Sequence, residues 1–112
     1  MAIRVTTPLP GALLSAIKTA IDEKHVETWT YDSDGDFTHT PFQWNKKAWL
    51  RPSVQSGGLV FNILGQKGVA LGKEIYGVYH GRFTEMLLVH FDDKFSDASA
   101  SARATTADLI SA

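Results

Sequence analysis

No cysteine occurs in the 112 residues, which removes disulfides, thiolate nucleophiles, zinc–thiolate centres and iron–sulfur clusters at once. A fold built from this chain is held by its core alone, and the cysteine-free composition fits the cytoplasm. Long apolar runs are missing too. None approaches the ~20 residues a membrane-spanning helix needs, so no membrane partner is expected. An excess of one charge is also absent, with 11 basic against 12 acidic side chains, which excludes nucleic-acid binding through whole-molecule charge. The 4 histidines form no HxH or HxxxH pair, and no nucleophile–base motif or dinucleotide fingerprint is present. No cofactor and no metal are therefore expected.

What is there has the balance of an ordinary globular chain, 44% hydrophobic and 21% charged, which excludes disordered and fibrous classes. The length suits one domain over residues 1–112, with 96–112 as a tail that is flexible or ordered against a partner. Near the N-terminus Arg4 precedes an apolar stretch, as in an export signal. Pro8 and Pro10 at its entrance, then Ser15 and Lys18, break the run such a signal requires. Leu13, Leu14, Ile17, Ala20 and Ile21 instead recur at helical spacing and predict an amphipathic helix from Leu9 to Lys24, capped by Thr7.

From Val26 the apolar period changes to two. Val26–Asp32 and Asp36–Thr40 flank Asp32-Ser33-Asp34-Gly35, a type I turn followed by a left-handed glycine. That register sets Tyr31 against Phe37 and Trp29 against His39 on a buried face, and leaves Thr28, Thr30, Thr38 and Thr40 wet. A short strand is expected around Lys47–Arg51 and a covered one over Gly57–Leu64. A second hairpin is read over 74–91, with His80-Gly81 as its turn. It places Tyr76 opposite Glu85, and Phe83, Leu87, Val89 and Phe91 in the core. Asp97 can cap a short closing helix ending near Ile110. The expected class is α+β: an N-terminal helix packed on a mostly antiparallel sheet of five or six strands.

Several positions carry chemistry. Glu85, between Phe83 and Leu87 in that hairpin, either lies where the sheet face leaves the helix cover and is simply wet or bonded to a nearby Tyr, or, if buried, has a raised pKa and serves as general acid or base, oriented by the Tyr76 hydroxyl. His39 among Trp29, Tyr31 and Phe37 can shuttle a proton or touch a ligand, or simply stack on the indole and bond a carbonyl. Asp32, Asp34 and Asp36 resemble a calcium loop in composition alone, because Phe37 and Gln43 stand where that loop needs glycine and glutamate. Gly68–Lys73 is one residue short of a phosphate loop, carries Glu74 in place of Ser or Thr, and is expected to lead into a strand. Phe42, Trp44, Lys46, Lys47, Trp49 and Arg51 interleave rings and cations, but their two parities cannot form one platform in a regular strand.

These features predict a non-catalytic module that binds a small ligand or a protein through an aromatic-rich pocket or surface. Trp29, Tyr31, Phe37, His39, Trp44 and Trp49 would line it. A homodimer is expected, since a small open sheet has edges to protect. The alternative is a small acid–base enzyme using Glu85 with Tyr76, and His39 or His80 as a second proton carrier. A third reading is single-stranded nucleic acid bound through Trp44–Arg51, which the near-neutral charge disfavours.

Overall fold

The computed structural model describes residues 2–105 and Asp108. Its elements run β1 (Ile3–Thr6), α1 (Pro10–Asp22), β2 (Trp29–Tyr31), β3 (Phe37–His39), β4 (Ala48–Gln55), β5 (Gly58–Gly65), α2 (Lys73–His90) and β6 (Asp97–Ala100). The class is α+β. The strands form one six-stranded sheet in the order β2-β3-β4-β5-β1-β6, every neighbour antiparallel. No described helix is long and apolar enough to cross a membrane.

The N-terminal helix forms where its apolar stripe predicts, with Leu13 and Ile17 buried and proline in its first turn. Leu9, not Thr7, is its N-cap. The Thr7 hydroxyl instead accepts from the Leu9 amide at 3.3 Å and donates to the Lys94 carbonyl at 2.8 Å, tying this corner to the segment after α2. At the other end Lys24 turns left-handed at φ 62°, and the His25 amide reaches back to the Ala20 carbonyl at 2.8 Å. That pairing closes the helix without a glycine.

The first hairpin has the expected register, Trp29 opposite His39 and Tyr31 opposite Phe37, with Gly35 at φ +83°. Thr38 departs from the wet threonine face. It is buried, donates to the Ala48 carbonyl at 2.9 Å and accepts from the Lys46 amide at 3.1 Å, because residues 41–47 fold back over it. The strand expected to end at Arg51 continues through Pro52 to Gln55. β3 meets β4 at Phe37 and Leu50, so beyond that point β4 has no partner strand on that side among the described residues, and a missing N–H costs no ladder bond there.

Side chains alternate along each strand. Ile3, Val5, Phe37, Leu50, Leu59, Phe61 and Ile63 share one core with Leu13 and Ile17 of α1 and Tyr79, Phe83 and Leu87 of α2. Both helices therefore cover the same sheet face. The other face carries Arg4, Trp49, Arg51 and Asn62, which are exposed or half-buried. At the centre of the core the Phe83 ring lies 4.6 Å from Phe61, 4.9 Å from Trp29 and 5.7 Å from Phe37.

Two expectations are corrected. Residues 74–91 do not fold back at His80-Gly81; Lys73–His90 is one continuous helix. Its buried apolar and aromatic residues Tyr79, Phe83, Met86 and Leu87 follow three- and four-residue spacing, the helical period. Gly77 and Gly81 each cost a helix about 1 kcal/mol relative to alanine. Burial of four large side chains, each worth roughly 1.5–3 kcal/mol, outweighs that. Val89, expected in the core, is 67% exposed. The second correction concerns Asp97, which caps no helix. Residues 97–100 form β6 along β1, with Asp97 opposite Thr6 and Ala100 opposite Ile3. Of the rest of the expected helix, 101–105 and Asp108 are not helical, and 106–107 and 109–110 lie outside the described residues. Asp108 is buried. One of its oxygens accepts from the Ile63 amide at 2.8 Å and the other from the Thr105 amide at 2.6 Å. It serves a β5 amide beyond Phe61, where the described pairing with β1 stops.

Candidate functional site

Residues 41–47 and the C-terminal half of α2 enclose a cleft of about 410 Å³. Its apolar walls are Pro41, Trp44, Met86 and Val89, and its polar lining is Thr28, His39, Gln43, Arg82, Glu85 and His90. The loop side is held in place from α2, because the Tyr79 hydroxyl donates to the Trp44 carbonyl and lies 3.0 Å from the Thr38 hydroxyl.

His39 is the best-defined group in the cleft. Its ring centroid lies 4.5 Å from that of Trp29, and Nδ1 sits 2.7 Å from the Thr28 carbonyl. A carbonyl can only accept, so Nδ1 carries the proton and Nε2 is an acceptor. Burial lowers the His39 pKa most strongly. The Thr28 bond opposes that shift, Arg82 adds to it, and Glu85 counteracts it. The ring is therefore neutral near pH 7. Nε2 makes no hydrogen bond among the described residues.

Glu85 is not the buried carboxylate that a strand would have made it. It is largely exposed on α2, and its oxygen lies 3.4 Å from the Arg82 guanidinium one turn earlier. Tyr76 stands nine residues from it, about 13.5 Å along a helix axis. The Tyr76 hydroxyl donates to the Ser101 carbonyl at 2.7 Å, and its ring stacks on His80 at 3.9 Å. Tyr76 lines a different cleft, with Gly72, Lys73 and Arg103. His80 is buried. Its Nδ1 lies 2.6 Å from the Tyr76 carbonyl, while Nε2 is buried and has no hydrogen-bond partner among the described residues. Burial lowers its pKa, against the Tyr76 bond and the charge of Asp108.

Of the six predicted ligand-binding residues, the cleft brings together His39 and Trp44, with Trp29 packed beneath His39. Phe37 lies wholly within the core. Tyr31 is at the periphery, its hydroxyl donating to Asp22 at 2.7 Å; that bond, ahead of any desolvation, raises its pKa. Trp49 and Arg51 share the open sheet face, so the Trp44–Arg51 segment serves two surfaces and not one platform. Arg82, Met86, Val89 and His90 went unforeseen. A helical reading of 73–90 would have found them, since 82, 85, 86 and 89 form one stripe.

The other two candidates resolve into local structure. The carboxylates of Asp32, Asp34 and Asp36 gather within 4.8 Å. Asp32 accepts from the Asp34 and Asp36 amides at 3.0 Å, and Asp36 forks onto Arg51 at 3.0 and 2.8 Å. Turn geometry and β4 account for the cluster. After Gly68–Lys73 comes a helix, not the expected strand, with Gly72 as N-cap. The spacing remains one residue short, and Glu74 still occupies the hydroxyl position. Compared with protein-family models, curated proteins and solved structures, the chain matches none.

Proposed function

We propose that this chain is a non-catalytic binding module whose cleft beside α2 takes a small uncharged ligand bearing an N–H or O–H donor. The observation that carries the reading is His39: its proton is committed to Thr28, which leaves Nε2 as an unused acceptor in a cleft with apolar walls. Arg82 and Glu85 neutralise each other at the rim, so the lining has no net charge to favour an ion. Trp44, Met86 and Val89 supply the apolar contact such pockets use, and the few polar groups set orientation. A second copy of the chain is the proposed protein partner, and the cytoplasm its compartment.

The test is amide and indole chemical-shift mapping with neutral, anionic and cationic fragments. Neutral donors should move Trp44 and Met86 and lose their effect in His39→Phe, which keeps a ring but has no acceptor. A ligand at 100 times its dissociation constant should add about 2.7 kcal/mol of stability. Shifts confined to the cleft by Tyr76, or equal binding by His39→Phe, would refute the reading. An acid–base role is the second reading, because His39 and Glu85 line the same cleft. Turnover lost in both His39→Phe and Glu85→Gln would favour it.

A further inference from the structure

The outward face of α2 is not that of a simply solvated helix. Leu88 and Val89 are 56% and 67% exposed. On the same side stand Gly77 and Gly81, and a Cβ built at either would meet nothing within 4 Å. Gly77, Gly81, Glu85 and Leu88 follow helical spacing and share one stripe. Between the glycines and the apolar end lie Arg82 and Glu85, with side chains 58% and 61% exposed and only 3.4 Å apart at their nearest atoms. The surface beside Gly81 is hollowed, with His80, Thr84, Leu88 and Ala100 around it.

We infer that α2 packs antiparallel against α2 of a second copy across a two-fold axis. The Leu88 side chain of each chain sits in the hollow over Gly81 of the other, and Arg82 of each pairs with Glu85 of the other. This surface is self-complementary in the way an isologous interface requires. Reversing the helix brings the Leu88 end onto the Gly81 end and the cation onto the anion. The midpoint between Gly81 and Leu88 and that between Arg82 and Glu85 differ by one residue, about 1.5 Å of rise, so a single axis serves both contacts. Charge complementarity thus singles out a second copy as the occupant. The inference rests on the reading that the protein partner is a second copy; it shares Arg82 and Glu85 with the rim of the cleft, whereas Leu88 and Gly81 lie outside the cleft lining. One helix pair buries less than the ~1,200 Å² of the smallest stable interfaces, so the dimer forms and dissociates with concentration.

Sedimentation velocity and light scattering over a wide concentration range test this. The wild-type chain dimerises on concentration, and Leu88→Glu loses the dimer. Arg82→Glu and Glu85→Arg each place like charges across the axis and weaken self-association by at least about tenfold. An equimolar mixture of those two variants recovers a dimer, because each chain then offers the charge the other lacks. Their intrachain pairs remain like-charged, so recovery arises only between chains. Gly81→Met fills the hollow with a better helix former and abolishes the dimer without unfolding the chain. A wild-type chain monomeric throughout, a Leu88→Glu dimer, or a mixture that stays monomeric would each overturn the assignment. Loss of ligand binding without loss of the dimer would refute the cleft reading alone.

Discussion

Replacing Gly77 and Gly81 by alanine, singly and together, sets a helical residue 73–90 segment against a hairpin turning at His80-Gly81. In a hairpin turn of that type Gly81 takes a positive φ, where a Cβ is strained, and alanine destabilises. Among the described residues the positive-φ glycines are Gly35, Gly57 and Gly68, none of them in α2, so neither Gly77 nor Gly81 needs glycine's freedom. An added Cβ meets nothing within 4 Å at either position, so no packing cost offsets the gain. Alanine should therefore stabilise by about 0.5–1 kcal/mol per site, through helix propensity and a less flexible unfolded chain. Both sites are exposed, and the double variant should add to about 1–2 kcal/mol. At ~2.1 cal/mol/K of unfolding entropy per residue, 1 kcal/mol moves Tm by about 4 °C in a chain of this length. The double variant should melt about 4–8 °C above wild type. The assay is thermal unfolding followed by circular dichroism on dilute samples, where self-association does not contribute. A fall in Tm for either single variant would refute the helical account of the segment.

Two further perturbations bear on groups the fold buries. His39 and His80 both have pKa values lowered chiefly by burial, whereas the unfolded imidazoles titrate near ~6.5. The unfolded chain therefore binds more protons below that pH. The contribution of the neutral rings is present above pH ~6.5 and is lost as pH falls through the folded pKa values. Urea unfolding at stepped pH should show stability falling on acidification, with a shallower slope in His80→Leu; equal slopes would refute the assignment. Asp108→Ala leaves the Ile63 and Thr105 amides without the oxygens they now use, at a cost of about 1–3 kcal/mol for the buried donor. Hydrogen exchange should show the Ile63 amide losing its protection, and unchanged protection there would refute the ladder-end role.

The elements that could be read from sequence are those whose local signals agree with their surroundings. In α1 the apolar positions are three and four apart and polar residues fill the rest, so period and burial name the same face. In the first hairpin Gly35 supplies the left-handed turn residue and the aromatic pairs fall in register around it. β6 offers no such agreement. Asp97–Ala100 is small and polar, and it is extended because β1 has a free side to pair with, a fact located more than 90 residues away in the chain. Thr38 is similar: its burial depends on where 41–47 and Tyr79 come to rest, and nothing in its own neighbourhood encodes that.

The misreading of 74–91 has a more specific cause. A helix with one buried stripe should be polar on its outer side, and Leu88 and Val89 are not. Added to Phe83, Leu87 and Phe91, Val89 completes an apolar alternation of the strand kind, and Gly81 supplies the matching turn. The residues that hid the helical period are thus those that face outward. Had their positions been lysine or glutamate, Tyr79, Phe83, Met86 and Leu87 would have stood alone at helical spacing. The same confusion fell on the site. The strand alternation sets Glu85 between core residues, where only a wet or a buried carboxylate can stand; the helix makes it a rim charge exposed beside Arg82. Outward glycines weaken an isolated helix, and outward leucine and valine gain nothing from water. Gly77, Gly81 and Leu88 share the stripe on which the proposed contact between two copies rests, with Val89 one residue to its side.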